Sequence, residues 1–258
     1  MAVTWKQLLI RYAQSLLDAL EKHDLRTICG CSSAQCALLL ANLPGKAFLA
    51  VESTQERAAR LYADVVFLQS LLHDETNKAN TLLLPAADSV DAIGSRAIIF
   101  ERLMFGEQMG VIASHAACAT GFREQDAPFG IELAQGAEMQ RSHLIQELNH
   151  LGYRQVEIVV EPGEYAERSW VIDLYPASEP RPVRIEFFGD EIELMRRFEV
   201  ETQLSAESVQ HLVIKPAVEP EAENSIFHLV EAASDIPVFV ATGLEIPDGI
   251  PAYRFTQL

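Results

Sequence analysis

The sequence predicts an α/β fold in which a parallel-sheet domain is interrupted by an inserted α+β domain built on an antiparallel sheet. Three observations predict it. Strand and helix signals alternate from Leu25 to Ser114, the pattern of a parallel sheet with crossover helices. After a polar stretch at Ala119–Ala137 carrying Gly121, Pro128, Gly130 and Gly136, the pattern changes to short apolar runs separated by turn signals. Beyond Pro216–Pro220, a helix at Asn224–Ala233 and a strand at Val238–Thr242 return, placed to rejoin the first sheet. The expected boundaries are 1–128 plus 217–258 for the α/β domain and 129–216 for the insertion.

In order, Trp5–Leu20 sets Leu8, Leu9, Tyr12, Leu16, Leu17 and Leu20 on one helical face. Lys6, Arg11 and Asp18 make it an amphipathic helix and not a signal peptide. Leu25–Cys29 reads as a short strand, followed by a turn and a helix to Ala41. Ala47–Val51 is a strand, and Ser53–Glu56 a capping-box start for a helix to about Leu72. Thr81–Leu84 is a strand, Ser95–Phe105 a helix and Val111–Ser114 a strand. The tail Ile246–Leu258 carries Pro247 and Pro251 and is assigned no element.

The first strand–helix turn is where a phosphate loop would lie. Such a loop needs G-x-x-x-x-G-K-[ST]: backbone amides cradle phosphates, lysine neutralises them and a hydroxyl holds magnesium. Counted from Gly30, the chain has Gln35 for the second glycine, Cys36 for the lysine and Ala37 for the hydroxyl residue. The loop is degenerate, so neither ATP binding nor a cofactor is expected.

In the insertion, a helix at Glu138–Leu151 precedes the strands. Val156, Ile158 and Val160 alternate with polar residues as in a half-buried strand. Pro162-Gly163, Glu179–Pro182 and Gly189-Asp190 mark turns. Val183, Ile185 and Phe187 fall on one strand face, with Arg184, Glu186 and Phe188 on the other. Phe188 then has two readings. Either both faces are covered or a bulge turns it inward, or it is an aromatic anchor beside an arginine on an exposed face, the make-up of an interface hot spot.

This stretch carries a resemblance. Glu161–Pro176 (EPGEYAERSWVIDLYP), Pro182–Glu191 (PVRIEFFGDE) and Thr202-Gln203 resemble the UvrB-interaction domain, which UvrB and the transcription-repair coupling factors share. The resemblance implies binding to UvrA, and the residues matching that contact are Arg168, Arg184 and Phe188. It implies a front-end module, with a degenerate P-loop-like first domain, that recruits UvrA to stalled transcription complexes. Contacts with RNA polymerase and DNA would belong to further family domains not found in these residues; the full-length family is an ATP-dependent DNA translocase. UvrB would keep the loop lysine and add a tyrosine-rich DNA hairpin, whereas Pro85–Arg96 has no tyrosine. The chain departs from the family pattern at Ser169 and Trp170, where small residues are usual. A stand-alone regulator or decoy using the same surface is the alternative reading, and an ATP-dependent repair subunit a weaker one.

Composition narrows the rest. A net charge of −17 opposes general nucleic-acid affinity, which needs clustered Lys and Arg. Cys29, Cys31 and Cys36 crowd together without a CxxC pair or nearby histidine, which leaves zinc short of four ligands and favours reduced thiols in a cytoplasmic protein. No apolar run reaches the roughly 18 residues of a membrane span. Asp173, Asp190 and Glu191 lack the opposed environments of an acid/base pair, and Arg196-Arg197 reads as a solvated face. No catalytic residue is expected. A hairpin centred near Ser178 would set Arg184 opposite Ile172 and Phe188 opposite Arg168. The three contact residues would then form one patch, each removable with little loss of stability.

Overall fold

The computed structural model describes residues 4–22, 27–29, 32–43, 47–73, 80–119, 130–219, 225–232, 236–241, 243–248 and 250–256. Two compact units are present: Met1–Pro85, Arg102–Thr120 and Asn224–Leu258 form one, and Ala86–Glu101 with Gly121–Glu223 the other.

The first unit begins with α1 (Trp5–Lys22), β1 (Thr27–Cys29), α2 (Ser33–Ala41), β2 (Phe48–Glu52), α3 (Gln55–Leu72) and β3 (Thr81–Leu84). Helix α4 (Val90–Met104), which belongs to the second unit as far as Glu101, leads to β4 (Gly110–Ser114) and α5 (His115–Ala119) of the first. Helix α7 (Ile226–Ala232), β13 (Val238–Ala241) and β14 (Ala252–Thr256) complete it. Its six strands are ordered β1-β14-β13-β2-β4-β3, and every pairing is parallel. β2 and β4 are buried at every position, as the inner strands of a sheet covered on both faces should be. Gly110 is needed where β4 passes β2, because a Cβ there would lie 2.3 Å from the Phe48 ring. Thr54, one residue later than the expected cap, accepts from the Arg57 amide at the start of α3.

The tail is not structureless. β14 sits between β1 and β13, with Tyr253 and Phe255 stacked on Phe239 at centroid distances of 5.2 and 5.5 Å. Pro247 and Pro251 precede the strand, where they remove no ladder hydrogen bond.

The second unit contains β5 (Ile131–Ala134), α6 (Arg141–His150), β6 (Arg154–Gln155), β7 (Glu164–Arg168), β8 (Val171–Leu174), β9 (Val183–Phe188), β10 (Glu191–Phe198), β11 (Ser205–Ser208) and β12 (His211–Ile214). A six-stranded sheet runs β11-β10-β9-β8-β7-β6, antiparallel except at β6–β7, and β12 pairs with β5 in a separate ribbon. Leu144 and Leu148 of α6 pack with Ile172, Leu174, Val183, Ile185 and Phe187 in one buried cluster.

The division differs from the expected boundaries at Ala86–Glu101, which joins the second unit. Buried charge explains it. Arg96 has no exposed side-chain surface and meets Glu219 at 2.7 Å; Lys215, 5% exposed, meets Glu101 at 2.6 Å. Gly94 lies so close to Ala177 that a Cβ would come within 2.6 Å of its backbone. The crossing expected at Ala119–Ala137 falls largely outside the described residues.

The alternation at Val156, Ile158 and Val160 does not make a strand. The ladder stops at Gln155, Ile158 and Val160 are exposed, and Val159 is buried against Ala166 and Phe198. Glu164, 8% exposed, holds this loop: its carboxylate accepts from the amides of Val160 (2.8 Å) and Glu161 (2.9 Å) and from Arg154 (2.6 Å). Local hydrogen bonds to one buried carboxylate thus replace strand pairing.

Candidate functional site

The site residues gather on the second unit's sheet, and hairpin geometry decides how. β7 and β8 form a tight hairpin, with Arg168 opposite Val171 and Ser169-Trp170 at its tip. β8 therefore lies between β7 and β9. Its register with β9 sets Ile172 opposite Ile185 and Asp173 opposite Arg184. Both points correct the expected arrangement: Arg184 faces Asp173 and not Ile172, and Arg168 stands two strands from Phe188 and not directly across from it. Without glycine or asparagine at Ser169-Trp170, residues 164–174 look like a single strand in the sequence.

Side chains follow the period of two. Ile172, Leu174, Val183, Ile185 and Phe187 point into the core, whereas Phe188 is 76% exposed. Phe188 is therefore not a core residue. It ends β9 just before Gly189, which takes a φ of +63° to turn the chain into β10.

Arg184 is held on every side. Its Nε and Nη2 donate to the two carboxylate oxygens of Asp173 at 2.7 and 2.9 Å, and Nη1 donates to the Gln203 carbonyl at 3.4 Å. Its guanidinium lies 5.0 Å from the centre of the Phe198 ring. The bond to Asp173 raises the arginine's pKa further above its ordinary value, so it stays charged. Gln203 has a φ of +57° and donates its amide to Val200, which fixes the carbonyl that Arg184 uses. Arg168 is looser, 52% exposed, with its Nε 3.9 Å from the same Asp173 carboxylate. Asp173 therefore gathers two arginines while being only 1% exposed itself.

The hairpin tip is fixed from two sides. Arg141, the first residue of α6, donates to the Arg168 carbonyl at 3.3 Å and pairs with Glu167 at 3.3 Å. The Phe187 amide donates to the Trp170 carbonyl at 2.8 Å, which brings Phe188 alongside the tip. Trp170 is 65% exposed. A groove of about 580 Å³ opens between this tip, the start of α6 and the Gly189-Asp190 turn. The expected patch missed Trp170, although its signal was in the sequence: a bulky aromatic residue inside a tight turn.

At the degenerate loop, Gly30 lies outside the described residues. Gln35 is the third residue of α2 and completes a capping box with Ser32; its Nε2 also donates to the Tyr12 hydroxyl at 3.1 Å. Cys36 and Ala37 are buried in the core, so neither of these two side chains reaches towards a phosphate. The adjacent cavity of about 180 Å³ is lined by Glu52, Arg57 and Arg60. Arg57 there meets Glu52 at 3.1 Å, and Arg60 meets Glu56 at 3.4 Å. No described helix is long and apolar enough to cross a membrane.

Residues 131–219 match the UvrB interaction domain family. Over 79% of its length the chain is 28% identical to the transcription-repair-coupling factor of Bacillus subtilis, of which it spans 18%. Over 38% of its length it is 36% identical to the transcription-repair-coupling factor of Escherichia coli, spanning 8% of that protein. Over 44% it is 32% identical to the UvrABC system protein B of Clostridium botulinum, again spanning 18%. The chain thus corresponds to less than a fifth of each of these relatives, and what it shares with the UvrB interaction domain family is the stretch 131–219, which holds the antiparallel sheet of the second unit.

Proposed function

We propose that the chain is a non-catalytic docking module that binds UvrA through the outer face of its antiparallel sheet, and that in a transcription-repair-coupling factor it recruits UvrA to stalled transcription complexes. The observation that carries this reading is Phe188. It is 76% exposed on the sheet that also carries Arg168 and Arg184, within the stretch that matches the UvrB interaction domain. A large exposed aromatic residue has no role in the core of its own domain, and aromatic and arginine side chains are the usual anchors of protein interfaces. Arg168 supplies a guanidinium free to meet a carboxylate. Arg184 acts one step behind, holding Asp173 and through it the position of Arg168. Gln35, Cys36 and Ala37 support the absence of nucleotide chemistry.

The test is binding of the full chain to purified UvrA by biolayer interferometry. Phe188→Ala and Arg168→Ala should each weaken binding by roughly 1–4 kcal/mol, as hot-spot truncations do. Wild-type affinity in both variants would remove the surface from consideration.

A further inference from the structure

We infer that Trp170 is a second aromatic anchor of the surface proposed above, reading a segment of the same partner that carries an apolar side chain next to a carboxylate. The inference rests on that proposed reading and extends it to a residue outside the Arg168, Arg184 and Phe188 set. Its first support is cost. An indole left 65% exposed at a two-residue hairpin tip leaves a large apolar surface in water and contributes little to its own core.

Rigidity is the second support. The Trp170 carbonyl is held by the Phe187 amide at 2.8 Å, and the preceding Arg168 carbonyl by Arg141 at 3.3 Å. A tip fixed on both sides presents its side chain with little ordering left to lose on binding, which favours affinity. Third, the position is continuous with the first anchor: the Phe187 amide that holds the tip directly precedes Phe188, so two exposed rings stand at one end of the sheet. Finally, the groove at that end is lined by Arg141, Ser169, Trp170 and Asp190. Arg141 places positive charge in this groove, and Arg168, half exposed, adds a second guanidinium on the strand that leads into the tip, on a chain of net charge −17. An apolar side chain can pack on the indole while its neighbouring carboxylate meets a guanidinium.

The experiment compares Trp170→Ala, Trp170→Phe and Phe188→Ala in the full chain, each measured for affinity to purified UvrA and for thermal unfolding. Trp170→Ala should weaken binding about tenfold or more and Trp170→Phe about threefold or less, with melting temperatures unchanged. With 5-fluorotryptophan in place of both tryptophans, the Trp170 fluorine resonance, assigned by its loss in Trp170→Phe, should shift when UvrA is added and the Trp5 resonance should not. Binding by Trp170→Ala within about twofold of wild type, alongside clear loss in Phe188→Ala, overturns the role of Trp170 and leaves the proposed surface standing. Unchanged affinity in Trp170→Ala and Phe188→Ala alike overturns the surface itself, and this inference with it.

Discussion

Arg184 and Asp173 form a two-pronged ion pair across neighbouring strands, with the carboxylate 1% exposed and both its oxygens bonded to the guanidinium. A residue matched to a partner contact is therefore also part of the sheet's own support. Arg184→Ala should destabilise the second unit by about 3 kcal/mol, because it strands a buried carboxylate. Arg168, at 3.9 Å, offers partial relief. Urea unfolding measures the loss. This corrects the expectation that Arg184 could be truncated at little cost. The matched double variant Arg184→Met with Asp173→Leu should recover most of the stability, since removing both charges leaves neither orphaned. No recovery would mean that the pair is not what holds these strands.

Phe188→Ala behaves in the opposite way. With its ring outside the core, its removal should change stability by no more than about 0.5 kcal/mol. A buried phenylalanine would cost about 3–5 kcal/mol. One thermal melt separates the two, and a large loss would return Phe188 to the core.

How much of this was legible in the sequence follows from what each feature depends on. The outward direction of Phe188 needed only the period of two, which the Val183–Phe187 alternation supplies. The parallel sheet was legible because β2, β3 and β4 are compact apolar runs separated by helix-length segments. The pairing of Arg184 was missed by one residue, since a hairpin's register depends on where its turn closes, and Ala177–Arg181 offers several places. β14 was missed because Ala252–Thr256 is short and follows two prolines; its partners β1 and β13 come from far away in sequence. Val156–Val160 alternates convincingly, yet after Val156 donates to the Tyr165 carbonyl the chain leaves the ladder and the Glu164 carboxylate takes the amides of Val160 and Glu161.

Tyr153 provides a check on the second unit's interior. Its hydroxyl donates to the Lys215 carbonyl at 2.7 Å and accepts from the Ala177 amide at 3.0 Å. Burial raises its pKa well above the ordinary tyrosine value, so the hydroxyl stays neutral and keeps its proton to donate. Tyr153→Phe leaves a buried amide and a buried carbonyl without this partner and should cost about 1–3 kcal/mol by urea unfolding. A neutral effect would show that water reaches both groups.

The degenerate loop predicts that the chain has no measurable ATP affinity by calorimetry. The reason is structural as well as chemical. Gln35 is committed to the cap of α2, and Cys36, 3% exposed, faces the core. Restoring a lysine by Cys36→Lys should therefore cost stability and not create a phosphate site, since a buried ammonium is disfavoured by desolvation. Micromolar ATP binding by the wild-type chain would overturn the reading of this loop.

The antiparallel sheet should be able to stand alone, but less stably than with α4 attached. Residues 130–219 contain β5–β12 and α6, and most of their buried cluster lies within that span. The excised segment should unfold cooperatively. It lacks Ala86–Glu101, however, and so loses Arg96 against Glu219, Glu101 against Lys215, and the Gly94 contact with Ala177. Val90, packed against the same cluster, is lost too. Its melting temperature should therefore fall well below that of a longer segment, 86–223, which retains those partners. Absence of any cooperative melt in 130–219 would mean that the strands cannot close their own core. Equal melting temperatures for the two segments would mean that the buried charge pairs anchor α4 without supporting the sheet. Breaking one such pair within the intact chain separates these causes: Glu101→Ala leaves Lys215 buried and unpaired, and should cost about 3 kcal/mol where the rest of α4 packing is untouched.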